Sequence, residues 1–205
     1  MAEVKHIFKA YGNNQVLADF SAVFPEGKIT CVMAPSGKGK TTLLRILLGL
    51  EKPDKGQLSG FSKRKKSAVF QEDRLCENLS AGANVDLVRP GKKSRRTITG
   101  FFKKQEDKSA EHEWTAGFER LGLSDCINRP VRELSGGMRR RVALLRALYA
   151  DWDILFLYEP FKGLDEDTKV RTIEFVKQQC RGRTVICVTH ELKEAEMLGA
   201  GILVL

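Results

Sequence analysis

Residues 31–42 of the chain read C-V-M-A-P-S-G-K-G-K-T-T, and the rest of the fold is organised around this stretch. Apolar residues 29–33 are typical of a buried strand, and a glycine-rich turn then leads to the start of a helix. This arrangement predicts a phosphate-binding loop, in which Lys40 reaches the β- and γ-phosphates and the Thr41 hydroxyl binds Mg²⁺. Ala34 stands where the usual pattern has its first glycine.

The whole loop is predicted to contact nucleotide phosphates, largely through its backbone N–H groups. The helix that follows points its N-terminus, with free N–H groups and the positive end of its dipole, at the same anion. The predicted cofactor-binding residues of the loop are Ala34, Pro35, Ser36, Gly37, Lys38, Gly39, Lys40, Thr41 and Thr42.

The composition is that of a globular protein. The 205 residues are 42% hydrophobic and 30% charged, which is enough apolar material to bury a core. No apolar run approaches the roughly 20 residues of a membrane-spanning helix, and residues 1–6 lead directly into a strand-like pattern rather than a secretory signal. The five cysteines are far apart and form no C-x-x-C pair, which indicates reduced thiols in the cytosol.

The net charge of +9 is compatible with nucleic acid, an anionic membrane surface or an anionic nucleotide as a partner. Much of the excess lies in short basic clusters, and these are not interleaved with aromatic residues that could stack on bases. We therefore interpret the clusters as solvated surface and expect no nucleic acid partner. The clusters occupy residues 63–66, 92–96, 103–104 and 139–141.

Alternating strands and helices predict the fold class. Strand-like runs at residues 4–11 and 15–24 predict an antiparallel β layer ahead of the loop. Residues 153–157 and 183–189 are continuous apolar runs of the kind buried on both faces of a parallel sheet. Helices are predicted over residues 136–150, 165–180 and 191–198. We expect an α/β fold with a mostly parallel sheet as its core.

The composition changes between residues 71 and 133, where strand patterns give way to polar, helical sequence. Helices are predicted over 79–88 and 110–121, and the basic, irregular stretch 91–108 between them is interpreted as a solvated loop or a contact with a partner or lipid headgroups. We therefore expect one domain over residues 1–205. Its nucleotide-binding core would comprise residues 1–71 and 134–205, with a helical lobe, residues 72–133, inserted between them.

A second glycine motif opens the helix predicted from residue 136. Ser135 offers a hydroxyl, and Gly136 and Gly137 allow backbone N–H groups to approach a phosphate at the helix N-terminus. The same residues alone would also suit an ordinary capped helix start. A phosphate interaction is favoured here because the motif follows a phosphate loop and precedes a buried strand that ends at Glu159.

With these motifs the sequence resembles the ATP-binding subunits of ABC transporters over essentially its whole length. L-S-G-G-M at residues 134–138 is similar to the family signature L-S-G-G-Q, with Met in place of Gln. I-L-F-L-Y-E-P at residues 154–160 lies where the family has an apolar strand followed by Asp, Glu and Pro. G-L-D at 163–165 and V-T-H at 188–190 resemble the loops that follow. E-P-F at 159–161 further resembles the importers of nitrate, sulfonate and related small anions.

The resemblance implies a P-loop NTPase of ABC type that couples the binding and hydrolysis of ATP, with Mg²⁺, to solute transport. ATP would lie between the loop of one subunit and Ser135, Gly136 and Gly137 of a second, in a head-to-tail dimer. The helical lobe would dock on transmembrane permease subunits. That arrangement places the chain in the cytoplasm, peripheral on the inner face of the cell membrane.

The resemblance also implies roles for individual residues. Glu159 would be the general base, His190 would hold the γ-phosphate, and Gln71 would contact Mg²⁺ or water and transmit closure to the lobe. Thr41 and Gln71 are thus the predicted metal-binding residues, and Tyr11 would stack on adenine. Taken alone, His190 could equally be a surface or helix-capping histidine, Tyr11 a packed aromatic, and Asp165 a helix cap.

Tyr158 departs from the family pattern, which has an aspartate at this position to support Mg²⁺. A phenol with a pKa of about 10 is neutral at pH 7 and gives the metal no charge. We therefore expect impaired hydrolysis. Two alternatives to a transport ATPase remain at this point: a soluble ABC-type ATPase acting on nucleic acid, and a nucleotide-binding module that does not hydrolyse ATP, which Ala34 and Met138 also favour. A P-loop kinase or GTPase would need no signature motif.

Overall fold

The computed structural model describes residues 1–35, 37–90 and 108–205. Ser36 and nearly all of the basic 91–108 stretch lie outside the described residues, so the predictions made for them stay predictions. Among the described helices, none has the length and hydropathy that crossing a bilayer requires.

Eight strands and six helices follow one another in the described residues. The N-terminal part contains β1 (Ala2–Tyr11), β2 (Asn14–Phe24), β3 (Ile29–Met33), α1 (Lys40–Leu48), β4 (Lys55–Ser59) and β5 (Lys66–Val69). The middle part contains α2 (Ala81–Asp86), α3 (Lys108–Arg120) and α4 (Gly136–Leu148). The C-terminal part contains β6 (Ile154–Tyr158), α5 (Glu166–Gln179), β7 (Thr184–Val188), α6 (Leu192–Leu198) and β8 (Gly201–Val204).

The strands form two sheets, as the fold prediction requires. β2, β1 and β4 make an antiparallel three-stranded sheet, which is the predicted N-terminal layer. The other sheet has five parallel strands in the order β5-β6-β7-β3-β8. Every residue of β6 and of β7 is buried, which explains their continuous apolar sequences. The predicted α/β class with a parallel core is confirmed.

Parallel pairing brings the carboxyl ends of the strands to one edge of the sheet. The phosphate loop follows β3, Tyr158 ends β6, and His190 follows β7. Gln71 comes just after β5. Residues that are far apart in sequence therefore meet at this edge, and the candidate site is there.

Apolar clusters cover both faces of the parallel sheet. Alternate residues of β6 belong to different clusters: Phe156 and Tyr158 pack with α1 and the antiparallel sheet, whereas Leu155 and Leu157 pack toward α4 and α5. The cluster that contains Leu155 and Leu157 also includes residues of α2 and α3, such as Phe118. The division of the chain into core and helical lobe stays a prediction.

Side-chain caps fix two of the helix starts. Ser135 accepts a hydrogen bond from the Met138 N–H at 3.3 Å, and Asp165 accepts one from the Thr168 N–H at 2.9 Å. Hydrogen bonds from the backbone and side chain of Thr168 hold the pKa of the Asp165 carboxyl below its usual range. Asp165 is therefore a helix cap in this chain, whatever else it contacts in an assembly.

The buried cysteines behave as small core residues. Cys31 and Cys187 are paired across β3 and β7 and are fully buried. All five thiols are free, and that of Cys76 is exposed. Burial raises the pKa of Cys180 to about 12, so this thiol stays protonated at neutral pH.

One expectation about the basic clusters is wrong. Arg140, in the cluster 139–141, is only 5% exposed and lies beneath the edge of the sheet instead of on a solvated surface. A run of three arginines at the start of an amphipathic helix must place some of them on the packed face, because the helix turns by about 100° per residue.

Candidate nucleotide site

The backbone of the loop requires its glycines. Gly37 and Gly39 have φ angles of +81° and +83°, in the left-handed region that favours glycine. At Gly39 an added Cβ would also lie 2.8 Å from the carbonyl oxygen of Val16 in the antiparallel sheet. The Gly39 carbonyl then accepts the N–H of Leu43 at 2.8 Å, and this bond starts α1. The loop is therefore fitted between its own helix and β2.

The Lys40 ammonium is buried at the centre of the loop. The residue is 5% exposed, and Nζ donates to the carbonyl oxygens of Ala34 at 2.5 Å and Pro35 at 3.0 Å. No carboxylate among the described residues forms an ion pair with it. A buried cation held only by neutral carbonyls is well suited to an anionic phosphate, since burying a charge without a counter-charge is costly.

A cavity of about 300 Å³ opens beside the loop. Its lining brings the predicted catalytic residues Gln71 and Glu159 to the predicted phosphate-binding residues. Two lining residues, Val16 and Lys162, were not predicted. The complete lining is Val16, Gly37, Gly39, Lys40, Thr41, Thr42, Gln71, Tyr158, Glu159 and Lys162.

Glu159 stands between two basic side chains. One carboxylate oxygen lies 3.3 Å from His190 Nδ1, and the other lies 3.2 Å from Lys162 Nζ. The Glu159 backbone has a φ of +40°, which is strained for a residue other than glycine, and its N–H donates to the Val188 carbonyl at 2.7 Å. The structure therefore joins the predicted base to the predicted γ-phosphate histidine. Lys162 could have been found from its position three residues after Glu159.

Tyr158 contacts the predicted metal-binding hydroxyl directly. Thr41 Oγ1 donates a hydrogen bond to the Tyr158 phenol oxygen at 2.9 Å, and Tyr158 is 8% exposed. The loop glycines and the Lys40 ammonium fit the phosphates of ATP. Mg²⁺ is usually held by one or two carboxylates together with phosphate oxygens. The donors here fit it less well, because the cavity's carboxylate, Glu159, is already paired and the Thr41 hydroxyl is bonded to a neutral phenol.

The signature residues lie apart from this cavity. Ser135 is exposed, and Gly136 and Gly137 line a second cavity of about 230 Å³ together with Gln71 and Glu159. A Cβ at Gly136 would meet nothing within 4 Å, so this helix start is open to an approaching surface. The signature glycines therefore line a neighbouring cavity, which shares Gln71, Glu159 and Lys162 with the loop cavity.

Tyr11 also lies outside the cavity lining. Its hydroxyl donates to Glu51 Oε1 at 2.5 Å, the Lys9 ammonium is 5.5 Å from its ring centroid, and the residue is 48% exposed. Adenine stacking by Tyr11 stays a prediction.

A buried carboxyl lies behind His190. Thr189 donates its hydroxyl to the Glu194 carboxyl and accepts the N–H of Glu191 at 3.2 Å. Glu194 is 3% exposed, and burial raises its pKa above the ordinary value for glutamate. The Lys169 ammonium lies 2.8 Å from Glu191 and 3.8 Å from Glu194. Nothing in the sequence singled out Glu194.

Comparison with known proteins shows to which family the chain belongs. Residues 17–162 match the family model described as ABC transporter. The chain belongs to the ABC transporter family. Within that family it is an ATP-binding subunit, as the sequence resemblance predicted, and it has the P-loop α/β fold of that class.

Curated relatives include importers of several solutes. The chain is 34% identical over 200 residues to the aliphatic sulfonates import ATP-binding protein SsuB 2 of Pseudomonas syringae pv. tomato, covering 96% of this chain and 78% of the relative. It is 35% identical to the taurine import ATP-binding protein TauB of Roseobacter denitrificans, covering 93% and 70%. It is 34% identical to the Fe(3+) ions import ATP-binding protein FbpC 1 of Pectobacterium atrosepticum. That match covers 99% of this chain but only 58% of the relative's length.

Solved structures agree in fold and include dimers. A dimeric bacterial ABC transporter cassette superposes with a TM-score of 0.80 at 26% identity, covering 100% of this chain and 94% of that one. A dimeric post-hydrolysis state of that cassette, bound to ADP and Pi, gives a TM-score of 0.79 at 26% identity.

Proposed function

We propose that this ABC subunit couples ATP binding and dimer closure to solute import, and that Tyr158 slows its ATP hydrolysis. The hydrogen bond between Thr41 and Tyr158 carries the proposal of slowed hydrolysis. It engages the predicted Mg²⁺-binding hydroxyl with a neutral group at the position where the family has a carboxylate.

Each part of the reaction has a residue suited to it. The loop N–H groups and Lys40 bind the phosphates of the substrate ATP, and the Glu159 carboxylate accepts a proton from the attacking water. In this proposal His190, which contacts Glu159, donates a hydrogen bond to the γ-phosphate. Thr41 and Gln71 are the residues that would hold Mg²⁺, which would supply positive charge at the phosphate oxygens.

A second subunit completes the proposed site. The helix start at Ser135, Gly136 and Gly137 is absent from the lining of its own chain's loop cavity, and a Cβ at Gly136 would meet nothing within 4 Å, so this helix start is available to cover the ATP of a partner. The dimeric form of the similar cassette supports a pair of subunits, which in this proposal are arranged head to tail. In this proposal the helical lobe binds permease subunits, and the chain is peripheral on the cytoplasmic face of the membrane.

A small anion is the proposed solute. The support is the similarity to sulfonate and taurine import proteins, together with the E-P-F sequence at residues 159–161. Relatives named for Fe(3+) and manganese show that the solute varies among proteins of similar sequence.

A nucleic acid partner receives little support from the described basic residues. Arg64 is paired with Glu26 at 2.8 Å and Lys65 with Asp151 at 2.5 Å, while Arg140 is buried. Filter binding of DNA and RNA across a salt series tests this alternative, because phosphate contacts weaken steeply with salt.

The substitution Tyr158→Asp tests the proposed slow hydrolysis. At saturating ATP and Mg²⁺ we expect kcat to rise at least about tenfold, which corresponds to roughly 1.4 kcal/mol of transition-state stabilisation. Tyr158→Phe is the matched control, because it removes the phenol oxygen without adding a carboxylate, and we expect it to stay as slow as the natural chain. Equal rates for the natural chain and Tyr158→Asp would show that Tyr158 does not limit hydrolysis.

A further inference from the structure

The buried guanidinium of Arg140 makes an unusual set of contacts. Its Nη2 donates to the backbone carbonyl of Tyr158 and to that of Glu159 at 2.7 Å, and its Nε donates to that of Pro160 at 3.3 Å. Its Nη1 donates to the carbonyl of Phe70 at 2.5 Å and to Asp73 Oδ1 at 3.0 Å. One side chain from the signature helix thus binds the ends of both β5 and β6.

The carbonyls of Tyr158, Glu159 and Pro160 are consecutive at the end of β6 and just after it, and they converge on one group because of the backbone turn at Glu159. In an extended strand, successive carbonyls point in opposite directions. The positive φ of Glu159 breaks that alternation, at a cost of about 1–3 kcal/mol that the surroundings must offset. A planar guanidinium with several donors in fixed directions can satisfy these carbonyls together, whereas the single nitrogen of a lysine cannot.

We propose that Arg140 is a positioning residue for ATP hydrolysis. By holding the carbonyls of residues 158–160, it maintains the turn that places the Glu159 carboxylate between His190 and Lys162. Arg140 is absent from the lining of the cavity beside the loop, although it lines the adjoining second cavity, and its hydrogen bonds go to the backbone around Glu159. In this proposal it therefore acts through Glu159 and not on ATP itself. This inference rests on the proposed role of Glu159 as general base.

Amide hydrogen exchange tests the inference without any need for turnover. The Glu159 N–H donates to the Val188 carbonyl and is protected only while the turn is held. In Arg140→Gln we expect exchange at Glu159 to accelerate at least about tenfold relative to the amides inside β6 and β7. Arg139→Gln is the matched control, since it removes the same charge one residue away, where the side chain contacts Glu77 and the carbonyls of Val131 and Arg132. Unchanged exchange at Glu159 in Arg140→Gln, or equal acceleration in all strands, would overturn the proposal.

Kinetics supply the second measurement, made in the Tyr158→Asp background where turnover is expected to be faster. Arg140→Gln should lower kcat about tenfold or more while the KM for ATP stays within about twofold, because the loop that binds the phosphates is untouched. Arg140→Lys, which keeps the charge and has the better prospect of folding, should restore less than half of the lost kcat. Full rescue by lysine, or a loss confined to KM, would contradict positioning by the guanidinium fork. If Glu159 is not the base, the exchange result still holds while kcat stays unchanged, so the two failures are distinguishable.

Discussion

The ends of β3 and β6, separated in the sheet only by β7, differ in how well they preserve the chemistry that ATP requires. The loop after β3 keeps Gly37 and Gly39 in left-handed conformations and holds a buried Lys40 ammonium. The end of β6 keeps Glu159 beside His190 but has Tyr158 in contact with Thr41. The β3 end keeps the glycines and the lysine that are proposed to bind phosphate, whereas the β6 end has a tyrosine at the position proposed to support the metal.

The difference shows why a substitution in such a protein can impair ATP hydrolysis while leaving ATP binding intact. A phosphate loop binds mainly through backbone N–H groups, which a change such as Ala34 leaves in place. Metal support at the β6 end depends on one side chain, so its replacement removes a full negative charge. Substitutions at the two strand ends should therefore have different signatures.

Lys40→Ala should have the largest effect, and it tests the half of the comparison that concerns binding. We expect ATP affinity to fall roughly 100-fold, since a charge-assisted contact is worth up to about 3 kcal/mol. Titration with a fluorescent ATP analogue, with and without Mg²⁺, measures the change. Lys38→Ala is the control, because that side chain is exposed and its backbone N–H is kept. Similar affinities for the two variants would remove the distinction between the strand ends.

Gly39→Ala should have the next largest effect, and it separates strain from crowding within the loop. Gly37 and Gly39 share a positive φ, for which a side chain costs about 1–2 kcal/mol. Only at Gly39 does a Cβ also meet Val16, at 2.8 Å from its carbonyl oxygen, which adds about 1–3 kcal/mol of overpacking. Urea unfolding should show that Gly39→Ala is more destabilising than Gly37→Ala. Equal losses of unfolding free energy in the two variants would mean that β2 shifts to make room for the added Cβ at residue 39.

The features that were predictable from the sequence depend on backbone geometry or continuous burial. Glycines mark the loop at residues 37 and 39, and apolar runs mark β6 and β7, because no other pattern satisfies those conformations and environments. The sequence also placed Glu159 and His190 after predicted buried strands, and the parallel pairing of the observed sheet brings those strand ends and Gln71 to one edge. Their detailed roles stay predictions.

The features that were missed depend on which side chain turns inward and on how two layers meet. Arg140 was taken for solvated surface because composition does not reveal which of three arginines faces the packed side of α4. Val16 reaches the cavity only because the antiparallel sheet lies against the loop. The contact of Tyr158 with Thr41 joins residues far apart in sequence, so the substitution was recognisable but its partner was not.

The end of β7, between the two strand ends, should give the smallest effect, through the buried carboxyl of Glu194. Because burial raises its pKa in the folded state above the unfolded value of about 4.3, the protonated form suits the fold. Its contribution is therefore complete below about pH 4.3 and is lost as pH rises through the raised folded pKa. Glu194→Gln mimics the protonated form, so the stability of this variant relative to the natural chain should increase as pH rises from roughly 4 to 8.

Urea unfolding at a series of pH values measures this difference, with the exposed Glu196→Gln as the control on the same helix. A Glu194→Gln difference that stays constant with pH would mean that Lys169, at 3.8 Å, fully compensates the ionised carboxylate. In that case the end of β7 would carry a negative charge directly behind His190. The sheet edge between the ends of β3 and β6 would then carry a negative charge, although the side chain of Tyr158 supplies none. The difference in charge between those two strand ends would be smaller. If the difference grows with pH, Glu194 is still neutral in the folded chain at pH values where it is already ionised in the unfolded chain. Lys40 and Arg140 are then the buried charges of this edge among the described residues.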